Sequence, residues 1–309
     1  MTKLARRFIN TIFLAITFLV FTNFSVYSET TPEKIGIITL HPKWGMPAHI
    51  QGHWQRIGKL RVFKKKFQRK CGKGIWVCSD DKTVASMERN ELGLLTIDLY
   101  EEGYLVESPI CAWSKIKKYS LPVDEALQDC ISPRIDRLKN KGAKKIVVLG
   151  KSLGANMAIR AGVVIDGIDA IIAMAPGHRP EKPFIMKKHS ADVEHARGKV
   201  KNGKGEEFFN YMDNNQGKEK SLEVRAANFL SWFDPNGKAV MGTNAPKIKN
   251  GIPFLWIAGS DDYISDGTGK SIYDSVPKNS LSKFILVDGG HGDVRENGKG
   301  KILEWLKGL

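Results

Sequence analysis

Six short apolar runs, at residues 34–41, 104–109, 145–150, 168–175, 253–258 and 283–287, set the tightest limit on how this chain folds. They are apolar at successive positions, so each reads as a strand buried on both faces. Between them lie stretches with helical spacing at 92–102, 121–140 and 153–162, and a short amphipathic helix is expected at 300–309. Gly103 and Gly142 stand where two of these helices should stop, and Pro133 suggests a kink in the second. Strands alternating with helices predict an α/β fold whose mostly parallel sheet is covered by helices on both faces. Ligands of such sheets bind beyond the carboxyl ends of the strands. With 309 residues, 42% hydrophobic and 26% charged, one domain over 29–309 is sufficient and a disordered chain is excluded.

Two segments break the alternation. Residues 50–91 read as an insertion that carries Cys71, Cys78 and the basic run Arg61-Val-Phe-Lys-Lys-Lys-Phe-Gln-Arg-Lys70. Ile57, Leu60, Phe63 and Phe67 recur there at helical spacing, which suggests an amphipathic surface segment, although such runs are usually solvated faces. Residues 177–250 read as helices joined by polar loops, a cap that could cover the site.

The first 28 residues have the pattern of a signal peptide. Lys3, Arg6 and Arg7 precede an apolar stretch that ends at Val26-Tyr27-Ser28. An uncleaved anchor is the alternative, but Asn10, Thr11, Thr17 and Thr22 interrupt the run, leaving less than the ~20 apolar residues of a spanning helix. Export to the periplasm or beyond would let the four cysteines pair. The short glycine-containing loop favours Cys71–Cys78, leaving Cys111–Cys130, with four buried thiols as the alternative. The net charge is +15, and removing 1–28 takes away three basic and no acidic residues, leaving +12. A protein this basic is expected to be drawn to anionic substrates, membranes or cell-wall polymers, and export argues against nucleic acid.

The sharpest chemical signal is Gly150-Lys151-Ser152-Leu153-Gly154. A G-x-S-x-G match alone arises by chance in roughly one chain of this length in five. Here it follows a strand and opens a helix, the tight turn that exposes a nucleophilic serine and tolerates only small neighbours. Acid and histidine should follow in that order, each just past a strand. The strand at 253–258 runs into Gly259-Ser-Asp-Asp262, and that at 283–287 into Asp288-Gly-Gly-His291. His291 would take the Ser152 proton and pass it to the leaving group, while the acid fixes its tautomer.

These motifs, in this element order, resemble the α/β-hydrolase superfamily over nearly all of 29–309, and 121–177 resembles exported bacterial hydrolases of unassigned substrate. The resemblance implies an α/β-hydrolase fold and selects Asp262 as the acid, with Asp261 as fallback. It implies an oxyanion hole formed by the N–H of Leu153 and a second N–H from the loop after the first strand. That loop reads His41-Pro42-Lys43-Trp44-Gly45, with Pro42 where the family has glycine, so the second donor falls on Lys43. Lys151 replaces a frequent histidine. It is expected to face solvent, the alternative being a cation that favours an anionic substrate.

Other motifs lead elsewhere. Gly150-Lys151-Ser152 and Gly269-Lys270-Ser271 resemble the end of a phosphate-binding loop, but Lys145 and Ile264 stand where its first glycine belongs. His49 and His53 share a helical spacing without a third ligand, so no metal is expected, nor any cofactor. His178 either lines the pocket or serves a turn. The leading expectation is an exported serine hydrolase of esters or related acyl compounds. A peptidase or amidase with the same triad, or a noncatalytic binding protein, remains open.

Overall fold

A computed structural model describes residues 34–45, 54–57, 60–63, 91–215 and 217–309. The expected signal segment, His49 and His53, the Cys71–Cys78 pair and most of the 50–91 insertion lie outside the described residues.

Strand β1 (Ile35–Leu40) is followed by the short strands β2 (Trp54–Ile57) and β3 (Leu60–Phe63), which pair antiparallel. Residues 57 and 60–63 are therefore extended, which corrects the helical reading of Ile57, Leu60 and Phe63. Helix α1 (Glu91–Glu101) leads to β4 (Leu105–Glu107), α2 (Val123–Asn140), β5 (Lys145–Ser152), α3 (Leu153–Val164) and β6 (Ala170–Pro176). Gly103 and Gly142 have φ of 92°, the left-handed conformation that ends a helix without Cβ strain.

The cap follows. It comprises α4 (Pro183–Lys201), a hairpin of β7 (Phe208–Asn215) and β8 (Lys218–Arg225), α5 (Ala226–Phe233) and the single turn α6 (Met241–Asn244). The sequence reading of helices alone missed the hairpin. Then come β9 (Phe254–Gly259), α7 (Thr268–Asp274), β10 (Lys283–Val287) and α8 (Val294–Lys307). The last helix begins six residues before the expected 300, and its Gly298 packs against Ile257 where a Cβ would not fit.

Six strands form one parallel sheet in the order β10-β9-β6-β5-β1-β4. Successive residues of each strand enter two different cores, which is why the runs are apolar throughout. Ile38, Val148, Ile171 and Trp256 pack with α2, α3 and the cap helix α5. Ile37, Val147, Ile172 and Leu255 pack with Leu95 and Leu99 of α1 and Ile302 and Trp305 of α8. A disulfide joins Cys111, after β4, to Cys130 of α2, with a Cα separation of 5.2 Å. Among the described residues no helix is long and apolar enough to cross a membrane.

Candidate active site

The carboxyl ends of β1, β5, β9 and β10 carry Lys43, Ser152, Asp262 and His291, which the sequence singled out for chemistry. At the β5–α3 junction Ser152 has φ 55° and ψ −119°, a strained conformation for a residue with a side chain. The register of β5 against β6 shifts between Lys151 and Ser152, and the Gly177 N–H donates to the Ser152 carbonyl at 3.0 Å. The turn is also crowded. A Cβ at Gly150 would collide with the Gly154 backbone, and one at Gly154 with the Leu40 carbonyl at the end of β1. Physical exclusion thus explains both flanking glycines.

Strands β9 and β10 are neighbours, so the loops that leave them run together. The Ser260 N–H donates to the Val287 carbonyl at 2.7 Å and the Asp261 N–H to the Gly289 carbonyl at 3.0 Å. Gly289, at φ 95°, turns the chain so that His291 points back across the sheet end. His291 Nδ1 lies 2.8 Å from Asp262 Oδ2, and the carboxylate is fully buried while His291 is 18% exposed. A carboxylate only accepts, so Nδ1 carries the proton and Nε2 is left as the acceptor. Asp262 Oδ1 also accepts from the Ile264 N–H at 3.3 Å, which orients the acid. Asp261 is exposed and accepts from its neighbour Ser260 instead.

Ser152 and His291 share the wall of a cavity of about 400 Å³. Leu153, Ile185, Phe233 and the exposed Phe184 supply apolar surface, while Lys43, Arg179 and Lys182 bring positive charge. Each cation has a carboxylate partner, at 2.7 Å for Lys43 with Asp213, 3.3 Å for Arg179 with Glu181 and 3.0 Å for Lys182 with Asp266. His178 lines the cavity and also occupies a turn at φ 64°. Its Nε2–H donates to the Trp232 carbonyl at 2.7 Å, and burial beside the Lys43 charge holds its pKa well below the ordinary value. Lys151 is buried, not solvent-facing as expected, because β5 continues through it to Ser152. It is not part of the cavity wall either.

The loop after β1 closes the other side. The Gly45 N–H donates to the Pro42 carbonyl at 2.8 Å and the Trp44 N–H to the Trp113 carbonyl at 3.2 Å. His41 anchors the loop: its Nε2 accepts from the Cys111 N–H at 3.1 Å and its Nδ1–H donates to the Pro42 carbonyl at 2.9 Å. Burial pushes its pKa down to about 4, so the ring is neutral. Sequence reasoning missed the hairpin residues Asn214, Asn215 and Gly217, which complete the wall. The alternation that buries Tyr211 and Asp213 on β7 and Leu222 and Val224 on β8 is masked in the sequence by the exposed Phe208 and Met212. Among the described residues no group of three or more His, Cys, Asp or Glu side chains could hold a metal ion.

No family model and no curated protein matches the sequence. Solved structures do match. The monoacylglycerol lipase of Paleococcus ferrophilus is 17% identical, covering 88% of this chain and 94% of its own, with a TM-score of 0.53. A metagenome-derived lipolytic enzyme of the LipS and LipT pair is 13% identical over 88% and 91%, at 0.51. DcsB, solved with a substrate analogue, is 13% identical over 89% and 90%, at 0.54. With its parallel six-stranded sheet, two helical layers and serine turn after the central strand, this chain has the α/β-hydrolase fold.

Proposed function

We propose that the chain is a serine hydrolase of carboxylic esters or related acyl compounds that works through an acyl-enzyme on Ser152. The observation that carries this reading is one cavity shared by a strained Ser152 and a His291 whose Nδ1 is 2.8 Å from the buried Asp262. His291 Nε2 takes the Ser152 proton as Oγ attacks the substrate carbonyl, and the imidazolium formed is stabilised by Asp262. The oxyanion faces the N–H of Leu153 at the start of α3 and the N–H of Lys43. The Trp44 and Gly45 N–H groups already have acceptors, which leaves Lys43 as the donor of that turn. His291 then protonates the leaving group, and water attacks the acyl-enzyme by the same route in reverse.

The apolar wall of Leu153, Ile185 and Phe233 suits an acyl group, and two of the structural neighbours are named as a lipase and a lipolytic enzyme. Export is supported by the leader pattern and by the Cys111–Cys130 bridge, since such bridges persist in oxidising compartments. The net charge supports attraction to anionic surfaces, and vesicle binding that ignored salt would remove that part. A fluorophosphonate tests the chemistry. The wild type should label stoichiometrically and hydrolyse short esters, and Ser152→Ala should do neither while melting at an unchanged temperature. Labelling that survives in Ser152→Ala, or amides cleaved in preference to esters, would overturn the assignment.

A further inference from the structure

Asp213 lies on β7 of the cap, yet its carboxylate is spent on a loop 170 residues earlier in the chain. Its side chain is fully buried. Lys43 Nζ donates to Oδ1 at 2.7 Å, Trp44 Nε1 to Oδ2 at 2.8 Å, and the Tyr119 hydroxyl to Oδ2 at 3.4 Å. Lys43 Nζ also reaches the Asn214 carbonyl at 3.2 Å. Two of the donors belong to consecutive residues of the 42–45 turn, so one carboxylate grips both sides of it. Burying an ion pair is costly in itself, and replacing such a pair by well-packed apolar side chains is often neutral or stabilising. What the pair adds is a fixed geometry.

We propose that Asp213 is a positioning residue: through Lys43 and Trp44 the cap hairpin holds the turn whose Lys43 N–H stabilises the oxyanion. The inference rests on the hydrolase reading above. The direction of the Lys43 N–H is set by the peptide plane between Pro42, whose φ is fixed, and Lys43. Anchoring the side chains of residues 43 and 44 removes the rocking motion left to that plane. Misplacing a catalytic group by about 1 Å can lower turnover about 10²-fold, and deleting one oxyanion donor lowers it about 10²–10³-fold. The cap is thus part of the catalytic apparatus as well as a cover.

The test uses Asp213→Asn and Asp213→Ala in the whole protein, with kcat normalised to sites titrated by fluorophosphonate so that unfolded molecules do not count. We expect kcat per titrated site to fall about 10- to 100-fold in Asp213→Ala, less in Asp213→Asn, which keeps an acceptor for one donor. KM for a short ester should move less than about threefold, since the donor acts on the transition state. Deuterium uptake of peptides covering 41–45 should rise, and that of 145–152 should not. Wild-type kcat per titrated site, or unchanged uptake at 41–45, overturns the proposal. A wild type that takes no fluorophosphonate sinks the hydrolase reading instead, and the uptake comparison still decides whether Asp213 holds the turn.

Discussion

At the scale of single residues, two adjacent aspartates have opposite fates. Asp261 and Asp262 follow the same strand, but the Asp261 N–H is tied to the β10 loop and its carboxylate is turned to solvent. Asp262 is turned inward onto His291 Nδ1 at 2.8 Å. Asp262→Asn should therefore lower kcat on the order of 10⁴-fold, because an amide can donate to Nδ1 and select the wrong tautomer. Asp261→Asn should change kcat by less than about twofold, as expected for a solvated group. Steady-state kinetics on one ester decide it, and the reverse order of effects would hand the acid's role to Asp261. The sequence alone left both open, and the family resemblance was needed to prefer one. Asp213 was not legible at all: a buried acid in a polar strand differs from a surface acid only by what folds over it.

At the scale of elements, the elbow was readable because its constraints are local. A strand, a serine and two glycines occupy one contiguous stretch, and the collisions that a Cβ would make at Gly150 and Gly154 involve the backbone of that stretch and of β1. The same logic extends to a glycine that no motif flagged. A Cβ at Gly177, just past β6, would lie 2.8 Å from Ser152 Oγ and 2.7 Å from the Tyr263 hydroxyl. Gly177→Ala should push the serine side chain off line and lower kcat about 10²-fold, the scale of a small misplacement. The melting temperature should fall by only a few degrees, since the clash is with two side chains. Gly150→Ala clashes with backbone and should instead impair folding. Gly177→Ala at full activity would mean that the cavity relaxes freely around Ser152. The β7–β8 hairpin was illegible for the opposite reason: exposed Phe208 and Met212 blur its alternation.

At the scale of the whole molecule, a mostly parallel sheet with helices on both faces followed from runs buried on two faces, because that burial fixes composition position by position, whereas the strand order rests on pairings between distant segments. Charge state did not follow, since it depends on which titratable groups the finished fold encloses. Three histidines, the buried His41 and His189 and the partly buried His178, all have pKa values below the ordinary one. Burial is the main cause in each case, and the Lys43 cation adds to it at His178 and His189. The unfolded chain binds protons at these sites near pH 6.5 while the native protein, at His41, waits until about pH 4. Between those values the unfolded state holds more protons, so stability rises with pH and is lost as pH falls through 6.5 toward 4. For His41 alone the loss from pH 7 to pH 5 is about 2 kcal/mol, and the other two act in the same direction. Between pH 7 and pH 5 the carboxylates of the unfolded chain, with pKa values near 4, stay largely ionised, so histidines dominate that part of the window. Urea unfolding should show the drop in the wild type, and His41→Gln, though less stable at pH 7, should show a drop smaller by about 2 kcal/mol. An equal drop in the two proteins would mean that His41 is protonated in the native state, and would contradict an Nε2 that accepts from the Cys111 N–H.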